Sequence, residues 1–285
     1  MKPEIFDSRK CRLGEGPVIV GTNAQRLYWV DILNEKVLWR EIDSDQSGEI
    51  STDSHVSFVL PERENSLILG TVDGPIVRGE DGMSFQLPGR TKPATTPIRW
   101  NDAKRGPRGE LWMGTSAYGA DGVSTSLYRL SSDLSAISLQ VDELGLANGM
   151  DWSPDGKYFY LIDTMGLVLK RFDYRDGEIS NVKDVMVFDS TLQEFPDGMT
   201  VDGEGCIWIA FWNGGCVRRY SPDFEELFRV ELPVRFVTSC AFGGKNVNRL
   251  FVTTAIGDGD WHDDSPVAGM TFVVETNFRG KASYT

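Results

Sequence analysis

Short apolar runs alternate with polar, glycine-containing turns along the whole chain, and no stretch carries a clean helical period. Six runs read as buried strands: Leu27–Asp31, Leu67–Gly70, Leu111–Gly114, Phe159–Asp163, Ile207–Ala210 and Leu250–Thr253. They start at residues 27, 67, 111, 159, 207 and 250, so successive starts are 40 to 48 residues apart. Hairpin-type turns precede them, such as Pro107–Gly109, Ser153–Gly156, Asp202–Gly205 and Gly243–Asn246. After a further turn each is followed by a second run: Val37–Arg40, Ile76–Arg78, Ser126–Arg129, Leu167–Lys170, Val217–Tyr220 and Met270–Val273. Apolar and charged residues mix in these, as expected of strands nearer solvent. A unit of about 45 residues made of short strands is the signature of a four-stranded propeller blade. The pattern predicts an all-β fold, a six-bladed β-propeller, as a single domain over residues 1–285. Closing the ring leaves only short, protected sheet edges.

The repeat also predicts which residues face the axis. Ten to twelve residues before each buried run, at the start of the innermost strand, stand Glu15, Ser57, Asn101, Asn148, Asp197 and Cys240. Four of these six carry carboxylate or amide oxygens, and equivalent positions of a closed ring converge at one mouth of its channel. Carboxylates gathered there repel one another and lose solvation unless a cation joins them. Hard oxygen donors suit calcium, magnesium or manganese, with zinc as an alternative. Each Asn-Gly or Asp-Gly alone also fits a plain turn; their common register is what points to a shared site.

Composition narrows the functional classes. Apolar residues make up 40% and charged residues 25%, an ordinary globular balance. Lys plus Arg total 29 against 42 Asp plus Glu, a formal charge of −13, which argues against nucleic acid as a partner. No run approaches the roughly 20 apolar residues that span a bilayer, and the N-terminus lacks a signal-peptide core. The expectation is a cytoplasmic protein without a membrane partner, monomeric or weakly homo-oligomeric. Cys11, Cys206, Cys216 and Cys240 lack metal-site spacing and read as buried, reduced thiols. Only two histidines occur, His55 and His262; a three-histidine zinc site is excluded, and both read as solvated loop residues. Asp43–Ile50 matches the first eight positions of an EF-hand loop, but Ser54 stands where the bidentate Glu belongs. Its flanks look like strands, so a polar hairpin loop is expected.

The segments Leu13-Gly-Glu-Gly-Pro17, Arg99-Trp-Asn-Asp102, Leu146-Ala-Asn-Gly-Met-Asp-Trp-Ser153, Pro196-Asp-Gly-Met199 and Thr238-Ser-Cys-Ala-Phe-Gly-Gly244, in this order, resemble the SMP-30/gluconolactonase/regucalcin-like family. That resemblance implies a six-bladed propeller that hydrolyses a sugar aldonolactone, with one divalent cation in the channel mouth: Ca2+ first, with Zn2+, Mn2+, Mg2+ or Fe2+ as alternatives. Carried over by motif, Glu15, Asn148 and Asp197 are the metal ligands, and Arg99 and Asn101 lie at the substrate's hydroxyls. The chain departs from the animal member at Ser116–Asp121, where the animal protein carries acidic residues; Tyr118 is expected to take over part of that substrate contact. It departs again after Asp258. Both changes bear on the substrate more than on the reaction.

Lactone opening needs an attacking water, a polarised carbonyl and a protonated leaving alkoxide. Asp197 is the candidate general base, and Arg99 would hold sugar hydroxyls or steady the oxyanion. Competing readings are a metal-dependent phosphotriesterase and a non-enzymatic calcium-binding regulatory propeller.

Overall fold

The structure, a computed structural model, describes residues 1–21, 25–63, 65–89, 98–119 and 123–281. Six four-stranded antiparallel sheets follow one another along the chain. The first strand of each is Gly14–Val20, Val56–Arg63, Ile98–Arg105, Ala147–Trp152, Phe195–Val201 and Val237–Gly243, for blades 1 to 6. These six strands touch one another in sequence, and the first also meets the last, so they form a closed inner ring around the axis. The result is a six-bladed β-propeller. The expected apolar runs are the second strands of the blades, and the mixed runs are the third.

Why these segments sit where they do follows from their side chains. Second strands such as Arg26–Asp31, Leu111–Ala117 and Ile207–Trp212 carry Trp29, Trp112 and Trp208, all fully buried. They fill the space between neighbouring blades together with Leu27, Phe159 and Phe251. Outermost strands face water: Ser47–Ser51 alternates between exposed and half-buried residues, and Glu178–Val187 is exposed along most of its length. Only two single-turn 3₁₀ segments, Ile32–Asn34 and Ser190–Leu192, interrupt the sheets of the described residues.

The ring is closed by the start of the chain. Pro3–Asp7 pairs with Thr271–Glu275 and supplies the outermost strand of blade 6. Inside, the buried Thr238 hydroxyl donates to the Gly14 carbonyl at 2.6 Å and ties blade 6 to blade 1. Asp43–Ile50 is a polar hairpin loop leading into Ser47–Ser51, with Asp43 and Asp45 engaged by Arg249 and Arg40. All four cysteines are buried and free.

One irregularity recurs in every blade. The register between first and second strands slips between Glu15 and Val18, Val56 and Val59, Trp100 and Ala103, Ala147 and Met150, Pro196 and Met199, and Val237 and Ser239. Each slip is a β-bulge, which frees residues from the ladder and re-aims their side chains. Ser57, Asn101, Asn148 and Asp197 are the first residues inside their bulges. Glu15 stands one place before its own, and Gly16, at φ +55°, takes the bulge. Cys240 does not belong to this set. Thr238 occupies the bulge of blade 6, while Cys240 lies further along, paired with Val252, with its thiol turned to the Trp208 carbonyl.

Candidate active site

The bulges place the chemistry at one mouth of the channel. In blades 4 and 5 the second bulged residue is glycine because the inner strands come too close for a side chain. A Cβ on Gly149 would lie 2.5 Å from the Asp197 carbonyl oxygen, and one on Gly198 would overlap the Ser239 hydroxyl. The Asn-Gly and Asp-Gly pairs are therefore packing requirements of bulges within strands, not the plain turns that each pair alone would fit. In blade 3 the same place holds Asp102.

Asn148 is held in one orientation. Its Nδ2 donates to Asp197 Oδ1 at 2.5 Å and to Thr164 Oγ1 at 3.1 Å. The Thr164 hydroxyl spends its proton on the Pro196 carbonyl, 2.7 Å away, so it can only accept from Asn148. This leaves Asn148 Oδ1 a buried acceptor without a hydrogen-bond partner among the described residues. An orphaned amide oxygen is costly unless something positive faces it.

Three acidic side chains share the site. Glu15 is buried and, among the described residues, accepts only the local amide of Gly16, at 3.1 Å. Burial raises its pKa well above the usual value, and the charges of Asp197 and Asp102 raise it further. Asp197 is raised well above the ordinary range by burial and by Asp102, with the Asn148 hydrogen bond and Arg99 opposing. Burial pushes Asp102 up to about 6 against the pull of Lys104 and Arg99. Two carboxylates and an orphaned amide oxygen from three blades make a hard, oxygen-only donor set, which fits a divalent cation of the calcium or magnesium type.

Arg99 and Asn101 lie beside this set. Arg99 Nη1 donates to Asn101 Oδ1 at 2.7 Å and to the Trp100 carbonyl at 2.9 Å, and Asn101 Nδ2 donates to the Ala147 carbonyl at 3.1 Å. Burial lowers the Arg99 pKa, opposed by Tyr118, Glu15, Asp197 and Asp102. Arg99 is thus a half-buried cation facing the acids. Its guanidinium lies 6.0 Å from the ring centre of Tyr118. Ala120 and Asp121 of the Ser116–Asp121 loop lie outside the described residues.

One of the two histidines departs from the sequence expectation and the other keeps to it. His55 is not a solvated loop residue. It is half-buried, and its Nδ1 lies 2.8 Å from the Tyr118 hydroxyl. His262 is exposed, beside Asp264. Asp102 escaped notice because strict alternation would turn it away from the axis if Asn101 faced it; the bulge lets both face inward. Two residues before Asp197 begins an aromatic group. Phe195 and Trp261 meet edge to face at 5.9 Å, and Trp212 stacks on Phe236 at 4.2 Å. Trp261, 43% exposed, comes from the segment after Asp258.

Below the acids the axis holds a cavity of about 120 Å³ bordered by Asp102, Lys104, Asp151 and Lys281. Lys104 and Lys281 grip the two oxygens of Asp151 at 2.7 and 2.8 Å. Burial alone would raise Asp151, but the two ammonium groups outweigh it and hold it at about 2. A second acidic group, Asp202, Glu204 and Cys206, gathers on blade 5. Arg219 already satisfies it, at 2.8 Å from Asp202 and 2.6 Å from Glu204.

The SMP-30/gluconolactonase/LRE-like family profile matches residues 13–256. A pentonolactonase of Haloferax volcanii is 35% identical over 252 residues, covering 88% of this chain and 84% of its own. Regucalcin of Danio rerio is 34% identical over 291 residues, covering 96% of this chain and 94% of its own. Among solved structures, a calcium-binding protein, regucalcin, from Agrobacterium tumefaciens superposes with a TM-score of 0.89 at 25% identity, covering 98% of this chain and 95% of the other.

Proposed function

Because the chain belongs to the SMP-30/gluconolactonase/LRE-like family, we propose that it is a metal-dependent hydrolase that opens the ring of a sugar aldonolactone. The observation that carries this reading is the orphaned Oδ1 of Asn148 between the acids Glu15 and Asp197. The names of the relatives, a pentonolactonase and regucalcins, support the reaction class and the cation.

Glu15, Asn148 and Asp197 would hold one divalent cation, Ca2+ first and Zn2+, Mn2+, Mg2+ or Fe2+ as alternatives. When bound, such a cation supplies Lewis-acid polarisation of the lactone carbonyl. Asp197 takes the proton of the attacking water and returns it to the ring oxygen as the acyl C–O bond breaks, and it stays aligned because Asn148 Nδ2 holds its Oδ1. Arg99 and Asn101 bind ring hydroxyls, and their mutual hydrogen bond fixes both before substrate arrives. Tyr118 borders the same subsite through its contact with Arg99.

The test is a pH-stat assay of pentono- and hexonolactones on chelator-treated protein, with each divalent cation added back in turn. Turnover that vanishes on chelation and returns with one cation supports the proposal. Faster turnover of phosphotriesters than of any lactone would reassign the reaction. Tight calcium binding without turnover of any lactone would favour a regulatory calcium-binding role.

A further inference from the structure

His55 belongs to blade 2, one residue ahead of the fully buried Val56, whereas Tyr118 follows the strand Leu111–Ala117 of blade 3. Their hydrogen bond is 2.8 Å, and the rings lie 5.6 Å apart, tilted by 46°. From there the contacts run inward. The Tyr118 ring lies against the Arg99 guanidinium, and Arg99 holds Asn101, which is anchored on the Ala147 carbonyl of blade 4. Tyr118 sits at a loop start before Gly119, at φ +60°, and is held at its hydroxyl end by His55.

We propose that His55 is a positioning residue: it fixes Tyr118 as the wall of a sugar-hydroxyl subsite over Arg99 and so selects polyhydroxylated lactones over unsubstituted ones. This rests on the lactonase reading and deepens it. A phenol oxygen offers one donor and two acceptor positions. The imidazole takes one of them and leaves the others for a substrate hydroxyl. It also fixes the ring torsions that would otherwise be frozen at the expense of binding. Among the described residues, Nη1 is the only guanidinium nitrogen of Arg99 that bonds to protein, so the rest of the fork lies beside the phenol as a second set of donors. A hydroxyl placed between phenol and guanidinium meets both an acceptor and a donor. A lactone without hydroxyls gains nothing there.

The experiment compares a pentono-γ-lactone with γ-butyrolactone on wild type, His55→Ala, His55→Gln and Tyr118→Phe. His55→Ala should raise KM for the pentonolactone about 3- to 10-fold, the size of one hydrogen bond. Its kcat, and its kcat/KM on γ-butyrolactone, should stay within about twofold of wild type. His55→Gln, which can still bond the phenol, should recover most of the loss. Tyr118→Phe should lose the preference for the hydroxylated lactone, and adding His55→Ala to it should cost no further preference. Equal losses on both lactones would make His55 merely structural and overturn the proposal, as would an unchanged preference. If the wild type turns over neither lactone, the lactonase reading falls. The subsite is then judged from the affinity for the pentonolactone by saturation-transfer NMR, where an unchanged affinity in His55→Ala overturns it.

Discussion

Asp102 gives the sharpest handle on the electrostatics of the site, because burial raises its pKa with Lys104 and Arg99 only partly compensating, and its own charge raises Glu15 and Asp197 in turn. In the metal-free protein its pKa stands at about 6 instead of 3.8. A raised carboxylate pKa means that the folded state holds its proton more tightly than the unfolded chain does. Its contribution therefore favours folding at low pH and is lost as pH rises through about 6. At pH 8 keeping Asp102 charged costs about 3 kcal/mol, from roughly two pKa units at 1.36 kcal/mol each. At pH 5 the cost is about half of that. Asp102→Asn removes the charge and keeps the shape. With an unfolding entropy of about 0.6 kcal/mol per kelvin for a chain of this length, it should raise Tm by about 5 °C at pH 8 and by about half as much at pH 5. The assay is differential scanning calorimetry of chelator-treated wild type and variant from pH 5 to 8. Asp151 does not confuse the window, since its stabilisation is lost only as pH falls toward about 2. Adding the divalent cation should shrink the gain, because an added positive charge turns the same carboxylate from a cost into an asset. A variant that melts lower than wild type at pH 8, or a gain that does not grow with pH, would refute this account of the site.

Three other substitutions separate the proposed roles. Glu15→Gln should weaken divalent-metal affinity at least tenfold by equilibrium dialysis, with an unchanged circular-dichroism spectrum; wild-type affinity would remove Glu15 from the ligand set. Asp197→Asn keeps an oxygen but cannot accept a proton, so under metal saturation its kcat should stay down by about 10²–10⁴-fold while Glu15→Gln recovers. Near-normal turnover at excess metal would leave Asp197 a ligand only. Arg99→Ala should lower kcat/KM for the lactone about 10²-fold with metal affinity kept; a loss of metal as large as in Glu15→Gln would make the arginine structural.

Much of this architecture can be read from the chain because its local signals agree. Apolar second strands, mixed third strands and Asp-Gly or Gly-Gly turns recur with one period, and each blade repeats the lesson of the last. The strand Pro3–Asp7 is not legible in that way. Ile5 is 49% exposed and Phe6 buried, so no clean alternation marks it, and its partner lies at the far end of the sequence. The bulges are equally silent. Period-two reasoning assigns Asn101 and Asp102 to opposite faces, which the extra residue in the ladder undoes. Counting ten residues back from Leu250 reaches Cys240, two places past Thr238, because the spacing from bulge to second strand differs between blades. His55 was obscured for a different reason: its partner Tyr118 belongs to another blade, and nothing in the sequence near His55 announces it.

The pairing of Pro3–Asp7 with Thr271–Glu275 sets a condition on how the protein can be made. Pro3–Asp7 leaves the ribosome long before its partner Thr271–Glu275 and must wait for it, which at about 5–20 residues per second is tens of seconds. Until then blade 6 lacks its outer strand, and the inner strand bearing Glu15 has no neighbour on the blade 6 side. The growing chain is an open arc of sheets with two unpaired flanks, the kind of surface that invites association with other chains. Glu15, Arg99, Asn148 and Asp197 come from blades 1, 3, 4 and 5, so an unclosed arc holds them in no common geometry. The proposed site should assemble all at once with the final hydrogen-bonded ladder, and chaperone demand during synthesis should be concentrated in the interval before it.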